Sequence, residues 1–291
     1  PDVKTPQTHI EYNGDYHIIT DRSYITNKTK IALIGKDIDS GLKLIYYRLD
    51  KKYVQKMYHQ PFTLDEETLH ALIYYGKDWM ENIEKPNIEM IQVDNTPPVT
   101  NISTHKTEYI LDNKSIIDIE TEIFFLPTDT GSGNKKTLYS INGGTWKEYR
   151  KNNPIKLSIQ KEQYIEYYSI DNLENTEEIK KENLLIDSQK PRINIITPNE
   201  GYIQINERKI VHIGKTLIIG KIKLEIEGSD DTKIKHIKIY IDNELRNMSH
   251  TPHVYFDWNQ VSLWQHKIKI ETMDITGKTR EKTIRVTLLN I

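Results

Sequence analysis

The sequence contains no cysteine and almost no alanine. Since none of its 291 residues is Cys, disulfide bonds, thiolate metal sites and thiol catalysis are all excluded. Alanine, the strongest helix former, occurs only at Ala32 and Ala71, whereas tyrosine occurs 18 times. This scarcity of helix formers and abundance of strand formers favour an all-β protein.

An excess of charge of one sign is also missing. Lys and Arg number 40 and Asp and Glu number 42, which gives a formal net charge of -2. The sequence therefore predicts no nucleic-acid partner and no attraction to an anionic membrane. No apolar run approaches the roughly 20 residues of a membrane helix, so no transmembrane segment is predicted. Because the sequence opens on Pro1 without a signal-peptide pattern, we expect a removed signal peptide or a longer parent protein.

Three sequence landmarks recur at the spacing of a small domain. An Asp followed four residues later by Pro begins at Asp2, Asp94 and Asp187. A turn-like acidic segment occurs at 37–41, 129–133 and 229–231. A third landmark, which opens on Asp, occurs at 78–82, 171–175 and 274–278. Because the landmarks keep their order and nearly keep their spacing, we predict three tandem domains at 1–93, 94–186 and 187–291.

Apolar and polar residues alternate within each repeat. In the third repeat, Ile268, Ile270 and Thr272 fall on one face of the segment, and charged residues alternate with them. Since this period of two is that of a strand, we also predict a strand rather than a helix at 64–75, whose counterpart in the second repeat alternates. Several such strands between turn residues predict two-sheet sandwiches. The short linkers predict that the three sandwiches form an elongated rod.

Two segments of the second repeat carry a family resemblance. Residues 139–149 read Tyr-Ser-Ile-Asn-Gly-Gly-Thr-Trp-Lys-Glu-Tyr, and 167–175 read Tyr-Tyr-Ser-Ile-Asp-Asn-Leu-Glu-Asn. This pattern resembles bacterial immunoglobulin-like domains of exported proteins, including the repeats named after a leptospiral outer-membrane protein. Where that family has a turn Gly, this sequence has Glu81 and Glu174, so we predict the positive φ angle at Asn82 and Asn175 instead.

The resemblance implies a location and a class of function. It implies an extracytoplasmic protein, in the periplasm or on the cell surface of a bacterium, in which the chain is a non-catalytic spacer or adhesive module. The expected partners are other proteins or other domains of the same polypeptide. An alternative is an accessory segment that binds glycan or host matrix for a larger enzyme or adhesin. No nucleophile elbow, phosphate-binding loop or metalloprotease motif occurs, so we predict no enzyme.

The acidic turns are the candidate metal sites of the sequence. Asp37 with Asp39, and Asp230 with Asp231, each place two carboxylates beside flexible residues, as calcium would require. Because Asp129 stands alone in the corresponding turn, we favour solvated turns, in which the Asp side chains accept backbone N–H groups. The sequence therefore predicts no metal or other cofactor, with calcium as the open alternative.

The tryptophans are the candidate ligand contacts. Trp79 lies in a turn, where an exposed ring could stack on a sugar. Trp146 and Trp258 fall at family pattern positions and are predicted to pack inside the sandwiches. We therefore predict a ligand contact only at Trp79.

Overall fold

The computed structural model describes residues 2–50, 54–106, 108–158, 161–259 and 261–290. Within these ranges the regular elements are all β-strands, which confirms the prediction of an all-β fold. No helix long and apolar enough to cross a membrane is found among the described residues.

The strands follow one another closely along each repeat. In the first repeat they are β1 (Gln7–Asn13), β2 (Tyr16–Ile19), β3 (Arg22–Ile25), β4 (Lys30–Lys36), β5 (Leu42–Leu49), β6 (Lys56–Met57), β7 (Leu69–Asp78) and β8 (Asn87–Val93). In the second they are β9 (Val99–Thr104), β10 (Tyr109–Leu111), β11 (Lys114–Asp118), β12 (Ile123–Thr128), β13 (Asn134–Ile141), β14 (Lys147–Glu148), β15 (Glu162–Asp171) and β16 (Lys180–Asp187). In the third they are β17 (Arg192–Thr197), β18 (Tyr202–Ile205), β19 (Arg208–His212), β20 (Thr216–Ile219), β21 (Ile222–Ser229), β22 (Ile234–Ile241), β23 (Glu244–Ser249), β24 (His253–Trp258), β25 (Gln265–Asp274) and β26 (Thr279–Leu289).

The chain divides into two compact units. Unit 1 comprises Pro1–Ser103, Ile123–Pro154 and Ile165–Lys181. Unit 2 comprises Thr104–Glu122, Ile155–Tyr164 and Glu182–Ile291. The three domains at 1–93, 94–186 and 187–291 stay a prediction.

Unit 1 contains sheets that pack face to face. A two-stranded sheet of β1 and β4 packs on a six-stranded sheet with the order β2-β3-β8-β7-β5-β6. Their shared core includes Ile31 of β4 and Leu72 of β7, which are fully buried. In the same unit, β9 pairs with β12, and β13 pairs with both β14 and β15. Phe125 of β12 packs on Tyr139 and Tyr167, with 5.9 and 4.8 Å between ring centroids.

Unit 2 has the same type of layered core. A three-stranded sheet with the order β17-β21-β24 packs on a seven-stranded sheet with the order β19-β18-β20-β26-β25-β22-β23. Leu224 of β21 meets Ile239 of β22 and Ile270 of β25 in one apolar cluster. In the same unit, β10 pairs with β11, and β11 runs parallel to the end of β16. The predicted two-sheet sandwich is thus the architecture of the chain.

One hairpin has the same form in all three repeats. The strands β7, β15 and β25 each have ten residues and end on the Asp that opens the third landmark. They bury every second residue, including Ile268, Ile270 and Thr272, as the alternation predicted. Each pairs with the antiparallel strand β5, β13 or β22, and the register shifts near the start of that shorter strand. Segment 64–75 leads into β7 and contains no helix, as predicted.

Candidate metal centres

Three acidic clusters each combine one aspartate from every sequence landmark. The first cluster is Asp2, Asp37 and Asp78; the second is Asp94, Asp129 and Asp171; the third is Asp187, Asp230 and Asp274. In each cluster one carboxylate oxygen per residue lies within 4.8 Å of the other two. The first and second clusters lie in unit 1, and the third lies in unit 2.

Strand pairing brings the three loops of each cluster together. Asp171 is the last residue of β15, and Asn134, the first residue of β13, lies opposite it. Asp129 directly follows β12 and opens the turn into β13, so it reaches the same end of the hairpin. Asp94 stands between β8 and β9, at the start of the second repeat. The recurrence of this hairpin explains why the cluster recurs.

Most of the clustered aspartates use one oxygen to hold their own turn. The Oδ1 atom of Asp37 accepts the N–H of Gly41 at 2.7 Å, and Oδ1 of Asp129 accepts the N–H groups of Gly131 and Gly133 at 2.9 and 2.8 Å. Gly41 and Gly133 have φ angles of 82° and 87°, which favour glycine. The predicted Asx-turns are thus confirmed at Asp37 and Asp129. In both turns the N–H groups bond to Oδ1, and Oδ2 of the same aspartate takes no part in the turn.

The predicted positive φ angles at Asn82 and Asn175 are wrong. They occur one residue earlier, at Glu81 and Glu174, with φ angles of 69° and 65°. The asparagine side chains instead cross-link the loops: Nδ2 of Asn175 donates to Oδ2 of Asp171 at 2.7 Å and to the carbonyl oxygen of Asp94 at 3.2 Å. The side chains of Glu81 and Glu174 are exposed, and Glu174 pairs with a lysine.

The second cluster is closely packed around Asp94. Its Oδ2 atom accepts the N–H of Ser132 at 2.7 Å, and its Oδ1 atom accepts the N–H of Thr96 at 3.2 Å. A Cβ atom on Gly131 would lie 2.2 Å from the Asp94 carboxylate, so no other residue fits there without displacement. Asp94 and Asp171 are 3% and 0% exposed. The amide groups that donate to Asp94 and Asp171 are neutral, so these hydrogen bonds bring no positive charge to the cluster.

The third cluster contains an ammonium group. Lys278 stands where the other repeats have Asn82 and Asn175, four residues after the strand-ending Asp. Its Nζ atom donates to the carbonyl oxygen of Asp187 at 2.9 Å and lies 3.3 Å from Oδ1 of the same residue. It also pairs with Asp118, which a second lysine contacts. One positive charge therefore lies among the third cluster's carboxylates.

Burial and mutual repulsion raise the pKa values of three carboxylates in and beside the second and third clusters. Burial, with the charge of Asp94 beside it, raises the pKa of Asp171. Burial, followed by the charges of Asp187 and Asp230, raises the pKa of Asp274. The same causes raise the pKa of Asp231. Ionised carboxylates at these positions are thus destabilised by burial and by the neighbouring negative charges.

Unpartnered buried oxygens are concentrated at the clusters. Among the described residues, nine buried side-chain N or O atoms have no hydrogen-bond partner, and six of them belong to a cluster or to its turn. The six atoms are Ser40 Oγ, Ser132 Oγ, Asn134 Oδ1, Asp230 Oδ2, Asp231 Oδ1 and Asp274 Oδ2. Since buried polar groups normally find partners, this concentration needs a cause. All six atoms are oxygens, the ligand type that hard divalent cations prefer.

Of the four aspartates that the sequence offers as calcium ligands, two belong to the acidic clusters and two do not. Asp37 and Asp230 belong to the first and third clusters. Asp39 lies outside the first cluster's triad and pairs with Lys4 at 2.9 Å. Asp231 lies beside the third triad with its Oδ1 atom buried and unpartnered.

The three predicted tryptophan positions have different outcomes. Trp79 is 62% exposed, as expected, and Nζ of Lys43 lies 5.5 Å from its ring centroid. Trp258 is 2% exposed and packs in the core, as predicted. The prediction for Trp146 is wrong, because this residue is 41% exposed and covers Tyr168 in an edge-to-face contact.

Most members of the clusters were not identified from the sequence as candidate metal ligands. The members not predicted are Asp2, Asp78, Asp94, Asp129, Asp171, Asp187 and Asp274. Within its own turn Asp129 has no second carboxylate beside it, so local sequence does not indicate a metal site there. One feature of the sequence could have indicated the clusters. In every repeat, each of the three landmarks contains an Asp, and the nine cluster members are these aspartates.

Comparison with known proteins gives only distant likenesses. No family model matches the chain, and no curated protein matches it. It is similar to three N-terminal domains of the bacteriophage RB49 highly immunogenic outer capsid protein, with a TM-score of 0.43 and 8% identity over 99% of each chain. For the fibronectin(III)-like modules of Clostridium thermocellum CbhA the TM-score is 0.40 and the identity 12%, over 66% of this chain and 95% of that one. For extracellular domains 3–5 of Drosophila OTK the values are 0.38 and 10%, over 94% and 97%.

Proposed function

We propose that this chain is a non-catalytic structural or adhesive module of a larger extracytoplasmic bacterial protein. The observation that carries this proposal is the recurrence of one aspartate cluster on one type of hairpin in three repeats. The acid and base of an active site need different environments that separate their pKa values. Three near-copies of a site are poorly suited to that purpose, whereas a structural site can be repeated in every domain.

The extracytoplasmic location follows from the resemblance of segments 139–149 and 167–175 to domains of exported proteins. Protease added to intact bacteria, to cells with a permeabilised outer membrane and to lysed cells tests it. We expect digestion of the native protein before lysis, at the surface or in the periplasm. Digestion only after lysis would contradict the proposal.

Stretching single molecules between their termini tests the structural role. If the chain folds as the three predicted domains, each should form a core of its own, and we expect three separate unfolding events. Each event should release roughly 300 Å of chain, the extended length of about 90 residues. A single event, or extension without resistance, would contradict three mechanically independent domains.

The alternative, an accessory segment that binds glycan, is favoured by one observation. Trp79 presents an exposed ring with the Lys43 ammonium beside it, an arrangement that can hold a polar ring ligand. Retention of the chain on immobilised polysaccharides, lost in Trp79→Ala and kept in Trp264→Ala, would support this function. Trp264 is a suitable control because it is also exposed, at 76%.

A further inference from the structure

We propose that the second and third acidic clusters bind calcium ions. In the second cluster the ligands are carboxylate oxygens of Asp94, Asp129 and Asp171, and in the third they come from Asp187, Asp230 and Asp274. This inference goes beyond the proposed function, because it depends on the carboxylates alone and holds for a spacer and for an adhesive module.

In the second cluster, a buried hydroxyl is a separate indication of a missing ligand. Ser132 is 0% exposed, and its Oγ atom has no partner. The main-chain N–H of the same residue donates to Oδ2 of Asp94, which holds Ser132 against the cluster. A cation would give the Ser132 oxygen the partner that the protein does not supply.

In the third cluster, the indication comes from the carboxylates themselves. Asp274 is 0% exposed, and its Oδ2 atom has no hydrogen-bond donor. Oδ2 of Asp230, from the next loop of the cluster, also has none. Two buried anionic oxygens without donors are costly, since a buried charge normally requires a partner. Both belong to residues whose oxygens approach within 4.8 Å, the range in which one ion can contact them together.

The two clusters differ in how far their charge is offset by the protein. The carboxylates of Asp94, Asp129 and Asp171 give the second cluster a formal charge of about −3, and its hydrogen-bond donors are neutral. A divalent ion would reduce this to about −1. In the third cluster, Lys278 already offsets one charge. We therefore expect the second cluster to bind calcium more tightly than the third.

The donor atoms favour calcium over other biological cations. All ligand atoms are oxygens, which argues against zinc, whose protein sites rely on His and Cys. Magnesium demands a near-ideal octahedron of ligands, whereas calcium accepts a variable number of oxygens in irregular geometry. Three aspartates that come from three separate loops therefore suit calcium better.

Calorimetric titration of the whole chain with calcium, after chelation, tests the inference. The variants are Asp129→Asn and Asp230→Asn, which remove one anionic ligand from the second and the third cluster. Asn retains an Oδ1 acceptor for the N–H groups of Gly131, Gly133 and Thr232, so the turns should still form. We expect the unmodified chain to bind calcium and each variant to bind one ion fewer. Glu178→Gln, on the exposed surface, is the matched control and should bind like the unmodified chain.

Thermal unfolding provides a second readout that does not depend on binding heats. At calcium about 100-fold above the dissociation constant, the unfolding temperature of a domain with an occupied site should rise by about 10 °C or more. This rise should be absent for the second repeat in Asp129→Asn and for the third in Asp230→Asn. Magnesium should produce a clearly smaller shift.

Three outcomes would overturn the inference. One is an unmodified chain that shows neither heat of binding nor a shift in unfolding temperature with calcium. Another is a full calcium response in both Asn variants, which would place any bound ion elsewhere. An equal response to magnesium would overturn the assignment to calcium.

Discussion

The second and third clusters each have aspartates at the same three positions of the repeat, but different side chains link those aspartates together. In the second cluster, the neutral amide of Asn175 joins Asp171 to the main chain of Asp94. In the third, the ammonium of Lys278 takes that place and bonds to the carbonyl oxygen of Asp187. Asp274 consequently loses the donor that Asp171 has, and its Oδ2 atom is left without a partner.

The difference shows how one substitution redistributes charge within a fixed backbone. The amide of Asn175 donates a hydrogen bond to Asp171 but does not reduce the negative charge of the second cluster. The ammonium of Lys278 offsets one negative charge of the third cluster but leaves Oδ2 of Asp274 without a donor. Burial opposes the charge of Lys278, but its hydrogen bond to Asp118 and the charges of Asp187 and Asp118 outweigh this, so the pKa of Lys278 is raised. The third cluster is therefore partly neutralised before any ion binds.

The largest expected effect comes from making the two clusters alike with Lys278→Asn. Without metal, the free energy of unfolding of the third repeat should fall by about 3 kcal/mol, because buried Asp187 loses its ammonium partner. The calcium affinity of the third cluster should rise by about tenfold or more, since a nearby positive charge is removed. Urea unfolding and calorimetric titration measure the two effects.

Lys282→Asn, an exposed change on β26, should alter neither the free energy of unfolding nor the calcium affinity. An unchanged calcium affinity in Lys278→Asn would show that the ammonium does not compete with the ion.

A smaller effect, confined to the second cluster, is expected from Gly131→Ala. The added methyl group would lie 2.2 Å from the Asp94 carboxylate, so the turn must move. Such overpacking costs about 1–3 kcal/mol of unfolding free energy. At the same offset after its turn Asp, the third repeat accommodates Thr232, whose hydroxyl donates to Asp187. Urea unfolding checks the result, and Gly144→Ala, with a nearest contact of 3.1 Å, should cost less. Equal stability of Gly131→Ala and the unmodified chain would contradict the close packing around Asp94.

The pH dependence of stability should separate the clusters further. The folded pKa of Asp171 is raised by burial, so this residue opposes folding when ionised. Without calcium, the second repeat should therefore gain stability as the pH falls through that raised value toward the ordinary value of 3.8. With calcium bound, the sign should reverse, because protonation of Asp171 expels the ion. Trp146 fluorescence during urea unfolding at several pH values follows this repeat.

The third repeat should show a stronger gain of stability on acidification in the absence of calcium. Its Asp274 and Asp231 both have raised pKa values and contribute with the same sign as Asp171. In the second repeat, Asp118 of β11 has the opposite sign: despite burial, its hydrogen bonds from Lys106 and Lys278 lower its pKa to about 2, so its contribution is lost as the pH falls below 3.8 toward 2. Equal gains of stability in both repeats on acidification would contradict this difference.

The strands and turns could be predicted from sequence because their signals are local. Alternation at Ile268, Ile270 and Thr272 is a property of adjacent residues, and it matches the buried face of β25. The turn at Asp129 likewise depends on an Asp and a Gly four residues apart. Local spacing is enough to define such elements.

The clusters could not be predicted in this way because their members are far apart in sequence. Asp94 and Asp171 meet only through the pairing of β13 with β15 and the position of the loop before β9. The positive φ angle at Glu174 was also missed, because the cross-link made by Asn175 depends on the position of Asp94. Both features follow from long-range geometry rather than from neighbouring residues.

The smallest expected effect concerns the turn that follows β15 and β25. Glu174 has a φ angle of 65°, whereas its counterpart in the third repeat is Gly277, with a φ angle of 94°. Glu174→Gly should raise the free energy of unfolding of the second repeat by about 0.5–1 kcal/mol, because glycine adopts positive φ angles without steric cost. The pair between Glu174 and Lys135 is lost, but it is exposed and should contribute little. Glu178→Gly, at a position without a positive φ angle, should instead destabilise the repeat. If both variants lower the unfolding temperature, the backbone at Glu174 is not strained. The Glu at this turn position in the second repeat and the Gly in the third would then not differ in backbone strain.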